Sequence, residues 1–268
     1  MQVVGYETER ADARDGGADR GADTAESDHR DPALLVAEAG EVRREPLESG
    51  RSLAYALGER RCAGALDGRI HRECATADAP YCDSHTSTWV CARCTGTCLK
   101  DEMDCYDNHA VYLAAFAPAT FKVGVTKEWR LRTRLREQGA DRAAHLRTVE
   151  NGRIAREIES QLAEEFTDRV RVPEKVAGLH REVDEAAWSA ALAEFDPVET
   201  FAFDYGLELD SAPVPETVAT GEIVGVQGRV AVLERGGTTY AVDVRDLVGY
   251  EVREEESDRK LQSSLSAF

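Results

Sequence analysis

Nine candidate thiol and imidazole ligands lie between positions 62 and 109: Cys62, Cys74, Cys82, His85, Cys91, Cys94, Cys98, Cys105 and His109. They include all seven cysteines of the chain. Within the run, "CDSH" and "CARC" are pairs separated by two residues, a spacing at which one tight loop aims two donors at a single ion. A sulfur-rich set with imidazole suits zinc, and it suits a closed structural site better than a catalytic one that keeps a position open. Four ligands complete one tetrahedral ion and eight complete two, so the cluster predicts one or two structural zinc ions. Spacing leaves open which ligands share an ion. Iron–sulfur ligation and a set of buried free thiols are the competing readings. The density of the run and its hydrophilic spacers favour zinc.

A second group of polar residues follows directly. "HAVYLAAFAPATFKVGVT", residues 109–126, reads as two apolar strands around a proline-containing turn, with Tyr112 in the first strand and Lys122 and Gly124 in the second. "TKEWRLRTRLREQGA" reads as a helix closed by Gly139, with Trp129, Leu131 and Leu135 as its apolar cover. Arg130 and Arg134, and Arg132 and Arg136, stack as i,i+4 pairs on it. "NGRIAREIESQLAEEF" reads as an amphipathic helix with Ile154, Ile158, Leu162 and Phe166 on one stripe and Glu159 beside it. Taken singly, these residues have plain readings: an amphipathic strand tyrosine, a solvated lysine, a strand glycine at a close backbone approach.

Their order along the chain resembles the GIY-YIG nuclease superfamily. In that superfamily a first strand ends in a tyrosine motif, here "VYL", and a second carries an aromatic-x-Gly motif, here "KVG". A following helix supplies an arginine, and a later helix a metal-binding glutamate. One branch replaces the second tyrosine with lysine and is similar to "KVGVT". More closely, "HAVYLA", "KVGVT", "REQGA", "GTC" and "CYDNH" resemble an uncharacterised prokaryotic family, domain of unknown function 2797, over roughly residues 58–170.

The resemblance implies a site of Tyr112, Lys122, Arg134 and Glu159. Glu159 would hold Mg²⁺ or Mn²⁺, hard ions suited to carboxylate and phosphate oxygens. The metal would polarise the scissile phosphate. Tyr112 would orient or activate the attacking water, and Arg134 would meet the charge that grows on the phosphate. Arg132 is the alternative to Arg134, because the superfamily's usual spacing falls there. Lys122 in place of a tyrosine, and a first motif without glycine, leave cleavage and binding without cleavage as alternatives. In either case the implied partner is nucleic acid, DNA or RNA.

These side chains need elements to position them. "MQVVGYE" reads as a strand, and residues 8–31, rich in Asp, Ala and Gly, read as a disordered insertion. Residues 32–58 alternate enough for two or three strands. A third helix is expected in "EVDEAAWSAALAEF", and residues 220–252 read as an antiparallel sheet or barrel turning at Gly236-Gly237. The expected architecture is α+β: N-terminal strands over 1–61, a zinc-ribbon-like cluster over 62–109, a GIY-YIG-like α/β domain over 110–205, a small C-terminal antiparallel β segment over 206–252 and a flexible tail over 253–268.

Composition bears on solvent and compartment. The 268 residues carry 33 basic and 51 acidic side chains, a net charge of −18. Only Lys100, Lys122, Lys127, Lys175 and Lys260 are lysines. This acidic, arginine-rich balance is similar to that of proteins from cells with molar internal salt, where a Debye length of about 3 Å screens the repulsion. It speaks of the solvent more than of the partner, since a local basic patch can still bind nucleic acid. No stretch reaches the ~20 apolar residues that span a bilayer, and the N-terminus lacks a basic-then-apolar leader. A cytoplasmic protein without membrane contact is the expectation, and a reducing compartment agrees with metal-bound cysteines.

Overall fold

A computed structural model describes residues 1–8, 31–86, 106–259 and 261. Residues 9–30 of the expected insertion and the whole segment from Cys91 to Cys105 lie outside the described residues. The chain divides into two compact units. One takes residues 1–8, 31–86 and the described chain from 205 onward, and the other residues 106–204.

The first unit is a mostly antiparallel sheet. Its strands are β1 (Gln2–Glu7), β2 (Ala33–Glu38), β3 (Glu41–Pro46), β4 (Ser52–Arg60), β5 (Ala65–Asp67) and β6 (Ile70–Arg72). From the other end of the chain come β11 (Val214–Pro215), β12 (Ala219–Gln227), β13 (Val230–Arg235), β14 (Thr238–Asp243) and β15 (Tyr250–Glu254), with a short helix α5 (Val244–Leu247). The spatial order is β11-β14-β13-β12-β4-β15-β1-β2-β3-β6-β5. The C-terminal strands are therefore not a separate sheet. β12 pairs with β4, and β15 lies between β4 and β1, so strands from both ends of the chain share one hydrogen-bond ladder. The reason is burial: Val3, Leu34, Val36, Leu53, Ile223, Leu233, Val242 and Val252 form one apolar cluster that neither end could bury alone. The turn at Gly236-Gly237 is as expected, with φ of 59° and 76°, a backbone that suits glycine.

The second unit contains β7 (His109–Phe116), β8 (Thr120–Lys127), β9 (Arg142–Val149) and β10 (Glu199–Ala202), in the order β10-β9-β7-β8. Its helices are α1 (Leu131–Gln138), α2 (Gly152–Leu162), α3 (Val172–Gly178) and α4 (Glu185–Leu192), with a 3-10 turn at Glu128–Arg130. β7 is buried along its whole length. Val111, Leu113, Ala115 and Val123 project into one cluster with Ala155, Ile158 and Leu162 of α2, and with Phe166 and Trp188. Tyr112 and Lys122 have the opposite parity on their strands and so belong to the other face.

Gly139 ends α1 with φ of 68°, as expected for a glycine C-cap. Asn151 caps α2 by accepting from the Ile154 N–H at 2.9 Å. Trp129 departs from expectation. It is 65 % exposed and covers no core, because the chain enters α1 through the 3-10 turn and only Leu131 and Leu135 face inward. Strands β9 and β10 and helix α3 add to the elements read from sequence. No helix among the described residues is long and apolar enough to cross a membrane.

Truncating Leu113, which is fully buried, to alanine is expected to cost about 2–5 kcal/mol. Leu66→Ala, at a side chain 41 % exposed, is expected to stay within about 0.5 kcal/mol. Urea unfolding of the two variants checks both values.

Candidate functional site

Four of the expected metal ligands meet in the first unit. Cys62, Cys74, Cys82 and His85 place their donor atoms within 4.8 Å of one another. Cys62 follows β4, Cys74 follows β6, and Cys82 and His85 come from one turn, where the His85 and Thr86 N–H groups donate to the Cys82 carbonyl. His85 Nδ1 is 3.4 Å from Cys62 Sγ and 3.3 Å from Cys82 Sγ, and the Cys74 and Cys82 sulfurs are 4.0 Å apart. Tetrahedral ligands at ~2.3 Å (sulfur) and ~2.0 Å (nitrogen) lie about 3.5–3.8 Å from each other, so these edges fit a zinc-sized ion.

The backbone is arranged around the sulfurs. The N–H groups of Gly64 and Cys82 donate to Cys62 Sγ at 3.4 and 3.3 Å, which spreads thiolate charge onto the chain. Gly64 is required here: its φ is +68°, and an added Cβ would stand 2.1 Å from the Arg72 carbonyl oxygen. The Cys62 N–H donates to the Thr76 carbonyl, and that of Ala63 to the Pro80 carbonyl, both at 2.9 Å. Burial pushes the Cys62 thiol up, while hydrogen bonding with Thr76 lowers Cys74 to about 6. The group could hold a metal such as zinc through three sulfurs and one imidazole. Cys91, Cys94, Cys98 and Cys105 lie outside the described residues. His109 does not belong to the convergent four. It opens β7, is 8 % exposed and has Nδ1 2.6 Å from the Asp107 carbonyl oxygen.

In the second unit Gln138 joins two of the expected site residues. Its Nε2 donates to Tyr112 Oη at 2.6 Å, and its Oε1 accepts from Lys122 Nζ at 2.9 Å. The same Nε2 is 3.3 Å from the Arg134 carbonyl oxygen, so the residue joins hairpin to helix. Tyr112 and Gly124 are direct cross-strand partners, and the phenol lies over the glycine. A Cβ at Gly124 would fall 2.4 Å from Tyr112 Oη. Lys122 Nζ is 5.6 Å from the Tyr112 ring centroid, a cation over a π face. Tyr112 is 1 % exposed.

Arg134 points its guanidinium at Glu137, 3.2 Å away, which Arg130 also meets at 2.9 Å. Arg132 lies over the Phe201 ring at 5.9 Å. Glu159 is paired with Arg156 at 2.5 Å. Its helix sets Ala155, Ile158 and Leu162 against the Val111 and Leu113 face, whereas Tyr112 and Lys122 belong to the opposite parity. The structure thus brings together Tyr112, Lys122 and the backbone of Arg134, and gives Glu159 an arginine partner of its own.

His145, the cross-strand neighbour of Tyr112 on β9, is buried. Thr148 Oγ1 donates to Glu128 Oε1 at 2.8 Å and so has its lone pairs left for His145 Nε2 at 3.1 Å. The imidazole therefore carries its proton on Nε2. Gln138 was not singled out by sequence. Its signals are its place in "REQGA" and just before the glycine that ends α1. Lys175, which donates to the Gln138 carbonyl at 2.6 Å and lies over Phe116 at 4.5 Å, comes from a helix the sequence pattern did not display.

The fold is α+β, and its Cys62, Cys74, Cys82 and His85 group could hold a metal such as zinc. Residues 50–252 match the family described as "Protein of unknown function (DUF2797)", and the chain belongs to that family. No curated protein and no solved structure matches it.

Two outcomes are expected. Cys62→Ser or His85→Ala loses one equivalent of bound metal relative to the parent protein and lowers the melting temperature, because metal binding is part of the folding free energy. Elemental analysis with thermal unfolding measures both. Gly124→Ala displaces the Tyr112 ring and destabilises the protein by about 1–3 kcal/mol, read by urea unfolding.

Proposed function

We propose that the chain is a nucleic-acid-processing protein of nuclease type, with the Cys62, Cys74, Cys82 and His85 group as a structural zinc site. The observation that carries the proposal is the Tyr112–Gln138–Lys122 group at the foot of the arginine helix. In the GIY-YIG-like reading, Lys122 and Arg134 neutralise the phosphodiester. Because Gln138 donates to the Tyr112 oxygen, the phenol keeps its own proton to give to a water or a phosphate oxygen. Glu159 would hold Mg²⁺ or Mn²⁺ only once freed from Arg156 and brought to the Tyr112 face from the helix that covers the other one, and that ion would polarise the phosphate. A closed zinc site in the other unit takes no part in the reaction. It stabilises the loops that follow β4 and β6.

A second reading, binding to RNA or DNA without cleavage, is favoured by two observations. Tyr112 is almost fully buried, and Glu159 is already paired with Arg156. The protein in high KCl with Mg²⁺ or Mn²⁺, mixed with single- and double-stranded DNA and RNA, separates the two. Cleavage that disappears in Glu159→Ala supports the first reading. Cleavage that persists unchanged in that variant removes Glu159 from the reaction. Salt-sensitive binding without cleavage, weakened by Arg134→Ala and untouched by Glu159→Ala, selects the second. Absence of binding to all four polymers contradicts both.

A further inference from the structure

Trp129 belongs to neither apolar core of the described residues. It is 65 % exposed, whereas Trp188 is 7 % exposed in the core of the same unit. An exposed indole offers a large, rigid π face on which a planar or cationic group can stack. The turn that carries it is firmly held. The Glu128 N–H donates to the Asn108 carbonyl at 2.9 Å, and the Glu128 carboxylate accepts from Thr148 at 2.8 Å and Asn108 at 3.2 Å. Tyr106, two residues before Asn108, is 71 % exposed, so a second aromatic ring lies on the segment to which this turn is bonded.

Charge says what such a surface would accept. From Lys127 to Gln138 the chain carries Lys127, Arg130, Arg132, Arg134 and Arg136 against Glu128 and Glu137, a local +3 in a chain of −18. Arg130 stands 5.9 Å from the Trp129 ring centroid. Arg132 is exposed, has no carboxylate partner among the described residues, and lies over Phe201. Aromatic faces interleaved with arginines match a polymer of alternating π faces and phosphates. In a duplex the bases are already stacked on one another, whereas a single strand can offer a base to the indole.

We propose that Trp129 and the arginine face of α1 bind single-stranded nucleic acid, with a base stacked on the indole and flanking phosphates on Arg130 and Arg132. The proposal rests on the nucleic-acid reading above and adds the substrate class. The full-length, metal-loaded protein is titrated into short fluorescein-labelled oligo-dT, oligo-rU and a duplex of equal length, followed by anisotropy at several KCl concentrations. Single strands are expected to bind more tightly than duplex. Trp129→Ala is expected to weaken single-strand binding about 5- to 150-fold, from the ~1–3 kcal/mol of one stacked base. Trp129→Phe retains most of the affinity, and Arg132→Ala lowers the slope of log K against log salt by about 0.7. An unchanged melting temperature in Trp129→Ala excludes loss of fold. Tighter duplex binding, or single-strand binding that Trp129→Ala leaves intact, overturns the proposal while the nucleic-acid reading stands. Loss of self-association in Trp129→Ala with nucleic-acid affinity unchanged assigns the indole to protein contact and also overturns it. If no oligonucleotide binds, this proposal and the proposed function both fall.

Discussion

The functional account depends on one amide. Gln138 sits at the last turn of α1, donates to the Tyr112 phenol and accepts from the Lys122 ammonium. Lysine can only donate, so the amide oxygen must face Lys122, and the amide nitrogen then has to face Tyr112. Gly124 makes room for this arrangement, because any side chain there would occupy the place of the phenol oxygen. Through that amide the hairpin is tied to the helix that presents Arg132 and Arg134 and follows Trp129 and Arg130. A neutral, well-oriented bridge of this kind keeps a buried tyrosine satisfied, and no carboxylate among the described residues cancels the lysine charge.

The other unit solves a different problem. Its sheet draws strands from both ends of the chain, and the loops after β4 and β6 add few large apolar side chains to the core. Three thiols and an imidazole converge in those loops, with backbone N–H groups turned toward the Cys62 sulfur. A metal there would supply the cohesion that burial does not.

Much of this was legible in the sequence, and the reasons differ by residue. The hairpin of β7 and β8, the Gly139 cap and the amphipathic α2 follow from local pattern, since each rests on neighbours three or four positions away. Cys82 and His85 were legible as a pair because one turn holds both. That Cys62 and Cys74 join them was not, because the β5–β6 hairpin and hydrogen bonds to Thr76 and Pro80 bring those segments together. Strand β9 escaped notice because its buried residues Ala143, Ala144 and His145 do not alternate in polarity. The merger of the C-terminal strands with β1 and β4 is a long-range pairing that no local period encodes. Of the partial apolar cover expected from Trp129, Leu131 and Leu135, Trp129 is absent for a related reason: the chain before α1 is a 3-10 turn that leaves the indole in water.

The central claim is that the Tyr112–Lys122 face, with the helix tied to it, receives a nucleic-acid strand. A crystal structure of the protein grown with Mn²⁺ and a short single-stranded oligonucleotide tests it most directly. The account predicts a phosphate within hydrogen-bond reach of Lys122 or Arg134, and Mn²⁺ anomalous density at Glu159 if the chain cleaves. An oligonucleotide seated away from this face, with Lys122 still bonded only to Gln138, would contradict it.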